Sequence, residues 1–118
     1  MNYPTTFEEA EAYEKYAVSL VAKNMENGML PRSAETLAHL HAIQALVPPG
    51  RYRHFKGGEY TVVSVLERVN TGLCDVEYFS HYGLYEGERA TRDLIGPDGF
   101  LRPVNRPEYK GVRFTKLD

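Results

Sequence analysis

The chain has 118 residues, 42% of them apolar and 25% charged, with nine tyrosines, five phenylalanines, no tryptophan and one cysteine. That length suits one domain with one core, 1–118, made of a helical segment 1–49 and a β segment 50–118, and the composition excludes a disordered or disulfide-stapled chain. A net charge of −2 with a pI near 6.1 speaks against general nucleic-acid binding. The N-terminus is acidic and no apolar run approaches a bilayer's width, so no membrane association and a cytoplasmic location are expected, in the host cell if the chain is phage-encoded.

In chain order, Thr6-Phe7-Glu8-Glu9 has the form of a capping box, which predicts a helix from about Phe7. Ala10, Tyr13, Ala17, Leu20, Val21 and Met25 then recur at spacings of three and four as one apolar stripe, and Asn27-Gly28 supplies a left-handed stop. Pro31 and Ser33 prepare a second helix, whose apolar side is expected from Leu37, Leu40, Ile43, Ala45 and Leu46, and Pro48-Pro49-Gly50 ends it. An antiparallel helical hairpin follows from the short turn between them.

After Gly50 the pattern turns to β. The stretch Gly50-Arg51-Tyr52-Arg53-His54-Phe55-Lys56 begins the sheet, and strand alternation puts Arg53 and Phe55 opposite Tyr52 and His54. Glu59 to Arg68 and Leu73 to Phe79 flank the hairpin signal Asn70-Thr71-Gly72 and should pair. Later glycines and prolines cut the chain into short pieces, of which Phe100 to Arg102 and Val112 to Leu117 read as strands and Glu86 to Ile95 as a loop or one helical turn. The fold class is therefore α+β: a helical hairpin on a small, strongly bent, barrel-like antiparallel sheet.

Catalytic chemistry is poorly represented. His39 and His41 lie two apart on a helix and face opposite ways, so no metal site is expected. The residues after Gly57-Gly58 do not continue a phosphate-binding P-loop, and Cys74 reads as a small core residue. His54 and His81 lack a nucleophile with a recognisable motif. The expectation is a protein that is not an enzyme and needs no cofactor.

Binding chemistry is richer. Residues 1–49 hold three cations and six acids, whereas 50–118 hold eleven and ten. Arginine forks hold phosphates through paired hydrogen bonds and rings stack on bases, so arginines and aromatics brought together by the sheet would make a nucleotide-sized site. Phe55, Tyr60 and Phe114 are the rings expected in the core instead.

Two resemblances carry these residues further. Tyr52-Arg53-His54-Phe55-Lys56-Gly57, Tyr60-x-Val62, Val76-x-Tyr78, Tyr82-Gly83, Arg102-Pro103 and Gly111-Val112-Arg113-Phe114 resemble a bacterial and phage family of small β domains of unassigned function, over residues 50–117. The Glu86 to Asp98 stretch departs from that family's shorter path. The overall organisation, helices joined to a small sheet bearing arginines and an aromatic residue, looks like the first family of phage Thoeris anti-defence proteins. That likeness implies a homo-oligomer, dimer or hexamer, that sequesters a cyclic ADP-ribose isomer or a cyclic oligonucleotide without cleaving it. It implies Arg51 or Arg53, Phe79, Arg102 and Arg113 as ligand contacts, with Asn105, Tyr82 and Arg106 beside them. The alternative is a small β module that binds RNA or a protein partner.

Overall fold

The computed structural model describes residues 2–27, 33–68, 71–81, 83 and 86–117. Among them, helix α1 (Phe7–Asn27) and helix α2 (Ala34–Gln44) precede seven strands: β1 (Gly50–His54), β2 (Glu59–Glu67), β3 (Cys74–Ser80), β4 (Arg89–Asp93), β5 (Val104–Arg106), β6 (Tyr109–Gly111) and β7 (Phe114–Lys116). The α+β class expected from the sequence is observed. Five strands form an antiparallel sheet in the order β4-β3-β2-β1-β7, and β5 and β6 pair as a separate hairpin. The sheet is open, with β4 and β7 as edges, so the barrel-like closure expected from the sequence is not formed.

The start of α1 is held as its capping box predicts, displaced by one residue on one side. Thr6 Oγ1 accepts from the Glu9 N–H at 3.1 Å, while the Glu9 carboxylate accepts from the Thr5 N–H at 2.9 Å and the Thr5 hydroxyl at 3.0 Å. The Thr5 N–H bond, first among its causes, holds the Glu9 carboxyl below its ordinary range. Ala10, Tyr13, Ala17, Leu20 and Val21 are buried as expected, but the next inward position belongs to Asn24 and not to Met25, which is 45% exposed.

Burying Asn24 is tolerable because its amide donates to Gly72 O at 2.9 Å and to Glu67 Oε2 at 2.5 Å. The hairpin approaches so closely there that a Cβ on Gly72, whose φ is +77°, would stand 2.8 Å from Met25 Cα. Helix α2 has its own capping box between Ser33 and Thr36. It differs from its predicted apolar side: Ile43 is its buried residue, Leu37 is 41% exposed, and Leu46 and Val47, just past the helix, enter the core. The stop at Gly28, the turn residue Pro31 and the hairpin residue Asn70 lie outside the described residues.

Pairing of β2 with β3 runs from Tyr60↔Ser80 to Glu67↔Cys74, as the hairpin reading required. A bulge between Val62 and Ser64 lets Val62 and Val65 both turn inward although they are three apart. Two local expectations are corrected. Arg89 to Asp93, read as loop or helical turn, is an edge strand paired with β3. Phe100 to Arg102, read as strand, is a turn, pinned by the Phe100 N–H to Asp93 O at 2.7 Å and the Leu101 N–H to Leu94 O at 3.1 Å.

One apolar cluster joins both segments. Tyr13, Ala17, Leu20 and Val21 of α1 meet Tyr52, Val62, Val76, Leu94, Phe100 and Phe114 from the β segment. Phe100 and Phe114 stack with centroids 4.1 Å apart, and Tyr52 meets Phe100 edge to face at 5.4 Å. The phenols that enter this core keep a partner: Tyr13 donates to Leu46 O at 2.6 Å and Tyr52 to Pro48 O at 2.7 Å. Phe114 and Cys74 thus fill the core roles expected of them.

Candidate anion site

Strand alternation sorts the candidate residues onto two faces. Cross-strand partners share a face, so Arg51 lies with Thr61 and Phe79, and Arg53 lies with Glu59, all on the side away from Tyr52. There Glu59 binds both guanidiniums, at 2.6 Å from Arg51 and 3.4 Å from Arg53. Phe79 neighbours His81 at 5.4 Å, and His81 shares a 2.5 Å hydrogen bond with Thr61. This outer face contains a hollow of about 530 Å³ lined by Arg51, Lys56, Gly57, Gly58, Glu59 and His81.

A second group converges on the other side. Strand β1 stops at His54, because the chain turns back through the His54 N–H to Gly58 O (2.7 Å) and Gly57 N–H to His54 O (2.8 Å) bonds. Gly57, at φ +108°, supplies the left-handed conformation this turn requires. Phe55 therefore leaves the alternation that would have put it beside Arg53. Its N–H donates to Arg113 O at 2.9 Å, which draws the Arg113 segment against the turn.

A hollow of about 430 Å³ opens there, its cationic wall formed by Lys56, Arg92, Arg106 and Arg113 and its floor by His54 and Phe55. Asp93, Asp98, Tyr78 and Thr91 complete the rim. Each cation is placed by a different segment. Arg92 comes from edge strand β4, with its guanidinium 5.2 Å from the Phe114 ring and donating to Asp98 O at 3.2 Å. Arg106 comes from β5 and lies 5.0 Å from the Phe55 ring centre.

Arg113 lies 5.7 Å from the same ring, and its Nε–H is spent on Arg102 O at 3.2 Å, leaving the terminal nitrogens of the fork. Tyr109 stacks on Phe55 at 5.4 Å and Lys56 approaches it at 5.8 Å. Phe55 is thus a half-buried floor for cations rather than a core ring.

Like charges this close leave a mark on their neighbours. Burial first, and then Arg92, Arg113, Lys56 and Arg106 in turn, push the His54 imidazole down to about 4, so it is neutral near pH 7. Burial, followed by Arg92 and Arg106, also lowers Arg113. Among the described residues, the ion pairs take up Arg51, Arg53, Arg68, Arg89 and Arg102, whereas Arg92 and Arg113 have no carboxylate within 4.0 Å. Arg106 has only a marginal pair with Glu108 at 4.0 Å.

Of the residues expected at a ligand site, the fold brings Arg106 and Arg113 together and leaves Arg51, Arg53 and Phe79 on the opposite face. Asn105, exposed on β5, and Arg102 line neither hollow. Arg102 instead stands 3.0 Å from Glu14 Oε2 of α1 while its Nε–H donates to Gly96 O at 3.1 Å. Burial raises the Glu14 carboxyl and Arg102 opposes the rise. Tyr82 lies outside the described residues.

Reading the sequence missed Arg92, which sat in a presumed loop, and His54 and Phe55 as site residues. The Arg-Ala-Thr-Arg-Asp run has a single apolar residue, so no alternation marks β4 in the sequence. Among the described residues there is no group of three or more potential metal ligands, and no helix is long and apolar enough to cross a membrane.

No protein-family model matches the chain, and no curated protein matches it either. Among solved structures, a protein of the DUF1653 family from Bordetella bronchiseptica is similar, with 25% identity and a TM-score of 0.53. The likeness covers 63% of this chain and 91% of that protein. It agrees with the resemblance of the β segment to small β domains of unassigned function.

Proposed function

We propose that this chain is a binding protein for a small phosphorylated, nucleotide-like signal, and that it holds the signal intact. The observation that supports this reading is the convergence of Arg92, Arg106, Arg113 and Lys56, from four separate segments, on one hollow of about 430 Å³. Four cations crowd the hollow, where Asp98 offsets Arg113 only in part and Glu108 stands 4.0 Å from Arg106, and a bound anion relieves the remaining repulsion. The volume falls within the usual range for small-molecule sites.

A cyclic ADP-ribose isomer or a cyclic oligonucleotide, sequestered as phage anti-defence proteins do, is the ligand class this reading takes from the sequence organisation. Binding without transformation needs no base. His54 suits that role, since its Nδ1 accepts from the Lys56 N–H at 3.2 Å and a neutral ring then carries its proton on Nε2, as a donor. A dimer or higher assembly belongs to the same proposal, with exposed Val18 and Met25, seven apart on α1, as a surface that assembly would cover.

Titration calorimetry against cyclic ADP-ribose isomers and cyclic dinucleotides should give saturable binding, with the ligand recovered unchanged after heat denaturation. Recovery of a cleaved product would make the protein an enzyme. A salt series separates the alternative: two or three phosphate contacts give a shallow slope, whereas an RNA partner gives a steep one.

A further inference from the structure

His54 occupies an unusual position for an imidazole in a cationic hollow. Four cations of the same hollow act on it electrostatically: Lys56 from its own turn, Arg92 from β4, Arg106 from β5 and Arg113 from the segment before β7. Rings enclose it on the remaining sides: Phe55 at 4.6 Å, Phe114 at 4.9 Å and Tyr60 at 6.5 Å. The acidic and phenolic groups of the same hollow are Asp93, Asp98 and Tyr78. One ring nitrogen is committed, because Nδ1 accepts from the Lys56 N–H in the turn that also carries the Lys56 side chain.

We propose that His54 donates its Nε2–H to the bound anion, and that anion binding draws a proton from solvent onto Nδ1, breaking its hydrogen bond from the Lys56 N–H. This rests on the anion-site reading above. Two opposing states follow from the geometry. Without a ligand, burial first, then the four surrounding cations, and the Lys56 N–H all favour a neutral ring. Two or more negative charges in the hollow offset the repulsion from those cations, and an imidazolium becomes a further cation facing the ligand. Nδ1 cannot then accept from Lys56, since its lone pair has become an N–H bond. The proton and the ligand thereby strengthen each other's binding.

Side-chain ¹⁵N spectra of the full-length chain, titrated from pH 8 to 3.5 with and without sulfate, test the coupling. Sulfate keeps its charge across that range, and the Arg106 and Arg113 Nε–H signals report its binding independently. The expected result is an Nε2-protonated neutral ring whose midpoint, near 4 without sulfate, rises by at least about one pH unit when sulfate saturates. Sulfate affinity should rise as pH falls, by up to about tenfold per pH unit between the two midpoints. The slope should disappear in His54→Gln.

Arginine signals that move while the His54 midpoint stays fixed would overturn this inference alone, as would a neutral ring protonated on Nδ1. Arginine signals that do not respond to sulfate would overturn the anion site itself.

Discussion

The two faces of the five-stranded sheet carry arginines in opposite circumstances. On the outer face, Arg51 and Arg53 share one carboxylate, Glu59, and their charge is answered within the protein. On the other side, Arg92, Arg106 and Arg113 sit over rings and around one hollow, with Arg92 and Arg113 each donating one bond to a backbone carbonyl. A guanidinium is available to a ligand when the fold has given it a position but no close carboxylate that uses up its fork. The residue type is the same on both faces, and the difference lies in what the neighbouring strand presents.

The largest effect should come from removing what the hollow is built on. Phe114→Ala deletes the stacking partner of Phe100 and the ring beneath Arg92, and should cost about 3–5 kcal/mol in urea denaturation. A loss below about 1 kcal/mol would mean that the site does not rest on this core. Next in size, Arg113→Ala should weaken sulfate or cyclic-nucleotide binding by about ten- to a hundredfold in calorimetry, since charge-assisted hydrogen bonds contribute about 1.5–3 kcal/mol each. Arg51→Ala and Arg53→Ala should stay within about twofold on the same assay. Equal losses on both faces would erase the distinction drawn between them.

Stability should also depend on pH through His54. Its folded midpoint of about 4 lies below the unfolded value of 6.5, so the unfolded chain binds the proton more readily. The contribution is therefore present above pH 6.5 and is lost as pH falls from 6.5 towards 4. That gap corresponds to at most about 3 kcal/mol, and solvent screening of a ring only partly buried reduces it to about 1–2. Denaturation of the ligand-free protein at pH 7 and 4.5 should show wild type losing about that much more than His54→Gln. The smallest effect belongs to the outer face: Glu59→Gln should cost less than about 1 kcal/mol, because its ion pairs are exposed.

The α1 stripe, the second cap, the β2–β3 hairpin and the burial of Cys74 were legible because each is a local matter of spacing and capping. Met25 and Leu37 were misjudged for the opposite reason: which face of a helix is covered depends on how far the sheet extends, and Gly72 meets α1 at Asn24. The same limit divided the candidate site. Arg106 and Arg113 were found by residue type, Arg51 and Arg53 were not separated from them, and Arg92 was hidden in an edge strand too polar to announce itself.

Periodicity, capping and composition dictate the two helices, the β2–β3 hairpin, the concentration of cations in the second half and the aromatic stock for a core. Only the tertiary structure decided which cations share a hollow. That depends on where β1 stops, at His54 and not beyond, and on the Phe55 N–H closing onto Arg113 O, fifty-eight residues later, a contact that no local pattern encodes.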